Sequence, residues 1–198
     1  MSAVLAYDPV PNEENAESVW IETPGTHRVC AGYATELLAA MNDLKPRGGA
    51  KMVVLGAECE KLAERDRLGL LARIGFVPAN GGLISSLNCW ENISLPVAYH
   101  EPARLATLLE EVQDLLEALG GVEDNNLLAK MPEQMSLYER RLTGFIRELI
   151  ERPDLMVVEN VAGGLTATKR KRAGRFVAIY HAYCPGGTFV HVEEKPEE

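Results

Sequence analysis

The stretch from Ser136 to Val158 constrains this chain more than any other. Leu137, Leu142, Phe145, Ile146, Leu149 and Ile150 recur with helical period through Ser136–Arg152, which predicts a helix with one buried face. Pro153-Asp154 stops it, because proline lacks an amide donor and disfavours helical geometry in the residue before it. Leu155–Val158 then runs apolar without alternation, the pattern of a strand buried on both faces in a parallel sheet. Ala167–Tyr183 reads as a further helix, and Pro185-Gly186-Gly187 turns into a strand over Thr188–Val192. Helix and buried strand alternate, which is the α/β rhythm.

Upstream the signals are shorter. Ala3–Tyr7 reads as an edge strand and Pro9–Ser18 as a loop. Val19–Glu22 and His27–Ala31 flank Pro24-Gly25 and predict a hairpin. A short helix over Thr35–Asn42 follows the break at Gly32, and Pro46-Arg47-Gly48-Gly49 is a turn. Lys51–Leu55 is a strand, Cys59–Ala72 a charged helix and Ile74–Val77 a short buried strand. The apolar spacing of Ala103–Leu119 predicts a long helix ended by Gly120-Gly121. The expected core sheet contains residues 51–55, 74–77, 155–158 and 188–192. The expected organisation is one domain over residues 1–198, with a helical subdomain at about 101–138 and a frayed acidic tail, Glu193–Glu198.

Composition narrows the function. With 46% hydrophobic and 25% charged residues the chain is ordinary globular material. A net charge of −9 argues against a nucleic-acid partner, which requires an electropositive footprint. The one basic run, Lys169-Arg170-Lys171-Arg172, reads as a solvated helix surface. No stretch approaches the roughly 20 apolar residues of a membrane span, and no signal-peptide layout is present. Cys30, Cys59, Cys89 and Cys184 form no C-x-x-C pair, and His27, His100, His181 and His191 never fall at i, i+4. This predicts reduced thiols, a cytoplasmic location and no metal site.

Three segments, in order, resemble the ATP-binding domains of ABC transporters, most closely the subunits of Mla/Mce-type lipid transporters. RIGFVPANGGLISSLNCWENISLPVAYH, residues 73–100, resembles the family's strand, Q-loop and following segment. MPEQMSLYERRLTGFIRELIERPDLMVVENVAGGLT, residues 131–166, resembles the signature helix and Walker B strand without a gap. VWIETPGTHRVCAGYATELLAAMNDLKPRGGAKMVVLG is a weaker match where the Walker A loop belongs. The resemblance implies an α/β fold, a shortened ABC-ATPase-like (P-loop NTPase) domain with a mixed central sheet and a helical insert.

The same resemblance implies altered motifs. A Walker A loop wraps phosphate in backbone amides and a lysine. Here Gly32, Ala34, Thr35 and Glu36 stand in a shorter loop, with no lysine and with a carboxylate at the helix start. The Walker B aspartate and the catalytic glutamate correspond to Glu159 and Asn160, and an amide cannot take a proton from water. The signature L-S-G-G-Q reads Met135-Ser136-Leu137-Tyr138-Glu139, with Ser136 surviving as a helix N-cap. The Q-loop glutamine corresponds to Ala79 and the switch histidine falls near Glu194. Thr166 replaces the D-loop aspartate.

These changes together predict a chain that binds no nucleotide cofactor, is not an enzyme, and serves as a scaffold or regulatory subunit of a lipid transporter. The segment from Gly82 to Pro96 lies where the family docks permease coupling helices, and Leu83, Leu87, Trp90 and Ile93 are its candidate docking residues. Core packing is the structural alternative for the same side chains. The expected partner is a permease or an ATPase subunit, in a homo- or heterodimer peripheral to the membrane at most. An atypical subunit that still binds or hydrolyses ATP is the second reading, and an unrelated α/β partner-binding module the third. An antiparallel strand layer ahead of the helical insert would separate an ABC domain from such a module.

Overall fold

The computed structural model describes residues 3–9, 18–31, 34–120 and 126–194. Its first elements are β1 (Leu5–Asp8), β2 (Val19–Ile21), β3 (Gly25–Ala31), α1 (Ala34–Asp43), β4 (Lys51–Val54) and β5 (Ala57–Glu58). Then come α2 (Glu64–Leu71), β6 (Ile74–Val77), α3 (Cys89–His100) and α4 (Leu105–Ala118). The last are α5 (Leu137–Ile150), β7 (Leu155–Glu159), α6 (Ala167–Ala173), α7 (Arg175–Tyr183) and β8 (Thr188–Glu194). They fall into two compact units. The first comprises Met1–Phe76, Pro153–Asn160 and Gly186–Glu198; the second comprises Val77–Arg152 and Val161–Pro185.

The first unit is built on two four-stranded sheets. One has the order β2-β1-β4-β5, with β1 antiparallel to both neighbours. This is the antiparallel layer that distinguishes an ABC-type domain from a simple doubly wound module. The other has the order β3-β8-β7-β6, with β8 parallel to β3 and to β7. As the unalternating run requires, Leu155, Met156, Val157 and Val158 are all buried. Leu5, Leu37, Met41, Met52, Val54, Val157 and Val190 share one core. Arg67, buried at the centre of α2, donates to the buried carbonyls of Leu44 and Cys59 and to the half-buried carbonyl of Leu62.

All four expected core strands form, but two pairings differ from the sequence reading. Lys51–Val54 joins β1 and β5 in the antiparallel sheet. The cause is the two-residue turn Leu55-Gly56, at φ 47° and 82°, which folds β4 back on β5 in a tight hairpin. The expected hairpin between Val19–Glu22 and His27–Ala31 does not form. β2 pairs with β1, whereas β3 pairs along seven residues with β8, the longer ladder prevailing over the local turn.

The second unit is helical. Phe145 of α5 and Phe176 of α7 stack with centroids 4.2 Å apart and planes 6° from parallel. Ile93 and Val97 of α3, Leu108, Val112 and Leu115 of α4 and Leu142, Ile146 and Leu149 of α5 are buried. Sequence reading had no separate element over Cys89–His100. Pro96 hides it as a helix breaker, yet Asn88 and Glu91 form a complete capping box at its start.

Candidate functional site

In the first unit, parallel pairing brings three of the singled-out positions to one edge of the sheet. Ala31, where β3 ends, is in register with Glu194, where β8 ends. Glu159, where β7 ends, is in register with Val192. Asn160 donates its backbone N–H to the Val192 carbonyl at 2.9 Å. Ligands of open α/β sheets bind outside the carboxyl ends of such strands, and this edge is that place. Glu159 is half-buried and Asn160 exposed. Asn160 adopts the left-handed conformation (φ 42°), which asparagine tolerates better than most residues.

α1 begins at this edge. Ala34 is buried in its first turn, and Thr35 and Glu36 are exposed. Gly32 lies outside the described residues, as does the side chain of Glu194. Among the described residues no group of three or more His, Cys, Asp or Glu is placed to hold a metal ion.

In the second unit, the signature-like residues open α5. The Ser136 side chain accepts from the Glu139 amide, while the Glu139 carboxylate accepts from the Ser136 amide at 2.7 Å. Lys130 donates to the other carboxylate oxygen at 2.7 Å. Burial pushes the Glu139 carboxyl upward, but hydrogen bonds from Lys130 and Ser136 and the Lys130 charge outweigh it and hold the group below its ordinary value. Glu139 is thus a paired anion that closes its own helix end. Tyr138 is turned away from solvent. It is buried, with its ring 6.5 Å from that of Phe176. Leu137 is half-buried against Gly164. Thr166 caps α6 by accepting from the Lys169 amide.

The docking candidates divide. Ile93 is completely buried, which assigns it to the core of the second unit and corrects its place among surface residues. Leu83, Leu87 and Trp90 are half-buried, and Ile84 and Leu95 beside them are exposed. The segment is shaped by Asn92, a residue sequence reading did not single out. Its buried amide accepts from the Ile84 N–H and donates to the carbonyls of Ile84, Leu87 and Asn88. Arg141 was likewise missed. It is buried on α5, and its guanidinium donates to the carbonyls of Ala79, Val161 and Gly163.

The fold that carries these positions is that of an ABC ATPase-like P-loop domain. It matches cbiO1 from Clostridium perfringens, part of the ABC transporter complex cbiONQ, with a TM-score of 0.72 over 99% of this chain and 80% of that one, at 11% identity. It also matches a dimeric ATP-binding cassette in a post-hydrolysis state bound to ADP and Pi, with a TM-score of 0.68 at 14% identity, over 97% of this chain and 88% of that one.

Among curated proteins the chain is similar to the lipoprotein-releasing system ATP-binding protein LolD 2 of Caulobacter vibrioides. They are 32% identical over 124 residues, 62% of this chain and 53% of that protein. It is also similar to the sulfate/thiosulfate import ATP-binding protein CysA of Yersinia pseudotuberculosis, at 25% identity over 74% of this chain and 39% of that protein. The chain spans about half the length of the curated relatives it matches, or less. No family model matches. Relatives and solved structures together support the resemblance to ABC transporter ATP-binding domains. They correct one expectation: a chain similar to ATP-binding proteins, and to a cassette caught after hydrolysis, is not shown to be non-enzymatic by its altered motifs.

Proposed function

We propose that this chain is an atypical ATP-binding-cassette subunit of a transporter, turning over ATP slowly at the carboxyl edge of β3, β8 and β7. The observation that carries the reading is that parallel register places the ends of all three strands, with Glu159 and Asn160, at one edge. Glu159 is the carboxylate that would meet a magnesium ion brought by the nucleotide. Asn160 stands where the general base belongs, and general-base catalysis contributes roughly 10²–10⁴-fold. Turnover of Mg-ATP by the purified chain should therefore be slow, and Asn160→Glu should raise it by tenfold or more. A chain with neither saturable Mg-ATP binding nor turnover, in wild type and Asn160→Glu alike, would sink the proposal.

The partner in this reading is a membrane permease, with the subunit on the cytoplasmic side. Among the described residues no helix is long and apolar enough to cross a membrane. The half-buried Leu83, Leu87 and Trp90 form the docking face. Tryptophan is over-represented among interface hot spots, and its truncation there costs roughly 2 kcal/mol or more. Trp90→Ala should reduce permease capture and leave the melting temperature unchanged. A large fall in melting temperature would make Trp90 structural and remove the best docking residue. The cargo class we favour is a lipid, supported by residues 73–100 and by the lipoprotein-releasing relative. Phospholipid found by mass spectrometry in the purified complex would support it, and a bound inorganic anion instead would overturn it.

A further inference from the structure

Two loops of the second unit, 79–82 and 161–164, flank α5, and both are fastened to that helix. The first lies on it without clearance: a Cβ on Gly81 would meet the Arg140 carbonyl, and a Cβ on Gly144 would meet the carbonyl of Gly81. Arg147 donates to the Gly82 carbonyl at 2.9 Å. Arg141 takes hold of both loops. Its Nε donates to the Ala79 carbonyl at 2.6 Å, and one terminal nitrogen donates to Val161 at 3.1 Å and to Gly163 at 2.6 Å. Arg141 is 4% exposed and Val161 is buried, so the Val161 carbonyl in particular has little recourse to water if the guanidinium is lost.

We propose that Arg141 is a positioning residue that makes loops 79–82 and 161–164 one mechanical unit. A displacement of either loop then requires the other to move or the guanidinium to release a carbonyl. The planar fork of arginine reaches carbonyls on two sides at once, and the single ammonium of lysine does not. The functional meaning rests on the proposed docking face: loop 79–82 leads directly into Leu83, so this side chain carries a partner's load to the loop that follows Asn160.

Backbone hydrogen exchange of the purified chain tests the clip without nucleotide or permease. In Arg141→Lys, amides in both 79–84 and 161–165 should exchange roughly ten- to a hundredfold faster, the change expected for losing a hydrogen bond to a charged group, while α4 keeps its protection. Arg147→Lys should loosen 79–84 alone. Gly81→Ala pushes the first loop off the Arg140 carbonyl, and with Arg141 present its effect should appear at 161–165 as well. In the Arg141→Lys background, adding Gly81→Ala should change 79–84 only. The proposal is overturned if Arg141→Lys loosens only one loop, if protection falls equally across α4, or if Gly81→Ala affects 161–165 identically in both backgrounds. Loss of permease capture in Trp90→Ala bears on the docking face and leaves the clip untouched.

Discussion

At the N-terminus of α5 a single serine and a single glutamate settle a question of charge. Ser136 and Glu139 satisfy each other's backbone amides, and Lys130 neutralises the carboxylate. Ser136→Ala should cost about 1 kcal/mol, the usual loss for an N-cap serine, read as a melting temperature lower by about 2–4 °C. The Glu139 carboxyl is held below its unfolded-state value. Its stabilising contribution is therefore fully present above the ordinary carboxylate range and is lost as pH falls through the depressed folded value. Lys130→Met should flatten the acid limb of a stability–pH profile, and an unchanged limb would show that Lys130 does not set it. The N-cap at Ser136 was legible in the sequence, whereas the return bond from Glu139 emerged only with the structure. The lysine that completes it comes from a turn between helices, which no spacing rule places.

At the scale of elements, α3 and the loop before it depend on Asn92. Four hydrogen bonds from one fully buried amide hold residues 84–88 in position. Asn92→Leu leaves the Ile84 N–H and the Leu87 carbonyl unmatched, while the Ile84 and Asn88 carbonyls keep the backbone amides of Leu87 and Asn92. Each buried group without a partner costs about 1–3 kcal/mol, so unfolding free energy should fall by about 2–4 kcal/mol. Denaturant unfolding measures this, and a loss below about 0.5 kcal/mol would mean that water takes over the role. No element was read over Cys89–His100, although Asn88 and Glu91 stand at the spacing of a capping box. The buried role of Asn92 was not readable, because an asparagine between Glu91 and Ile93 is by itself as compatible with a surface as with a core.

Across the whole molecule, local pattern and long-range pairing divided the work. The order helix, stop, buried strand over 136–158 follows from the chain alone, because helical period, a proline and an unalternating apolar run are each decided within a few residues. The α/β class and the edge carrying Glu159 and Asn160 follow from the same run. Tertiary structure decided which sheet received Lys51–Val54, since a strand's partner is chosen by register and turn geometry and not by its own hydrophobicity. It also turned Tyr138 inward onto Phe176 and placed Ile93 in the core, because a helix of known period still has no direction until its neighbours are packed. Arg141 meets Ala79 at a separation of 62 residues and Val161 at 20. Such bonds exist only once the burial of distant segments has removed the water that would otherwise satisfy these carbonyls.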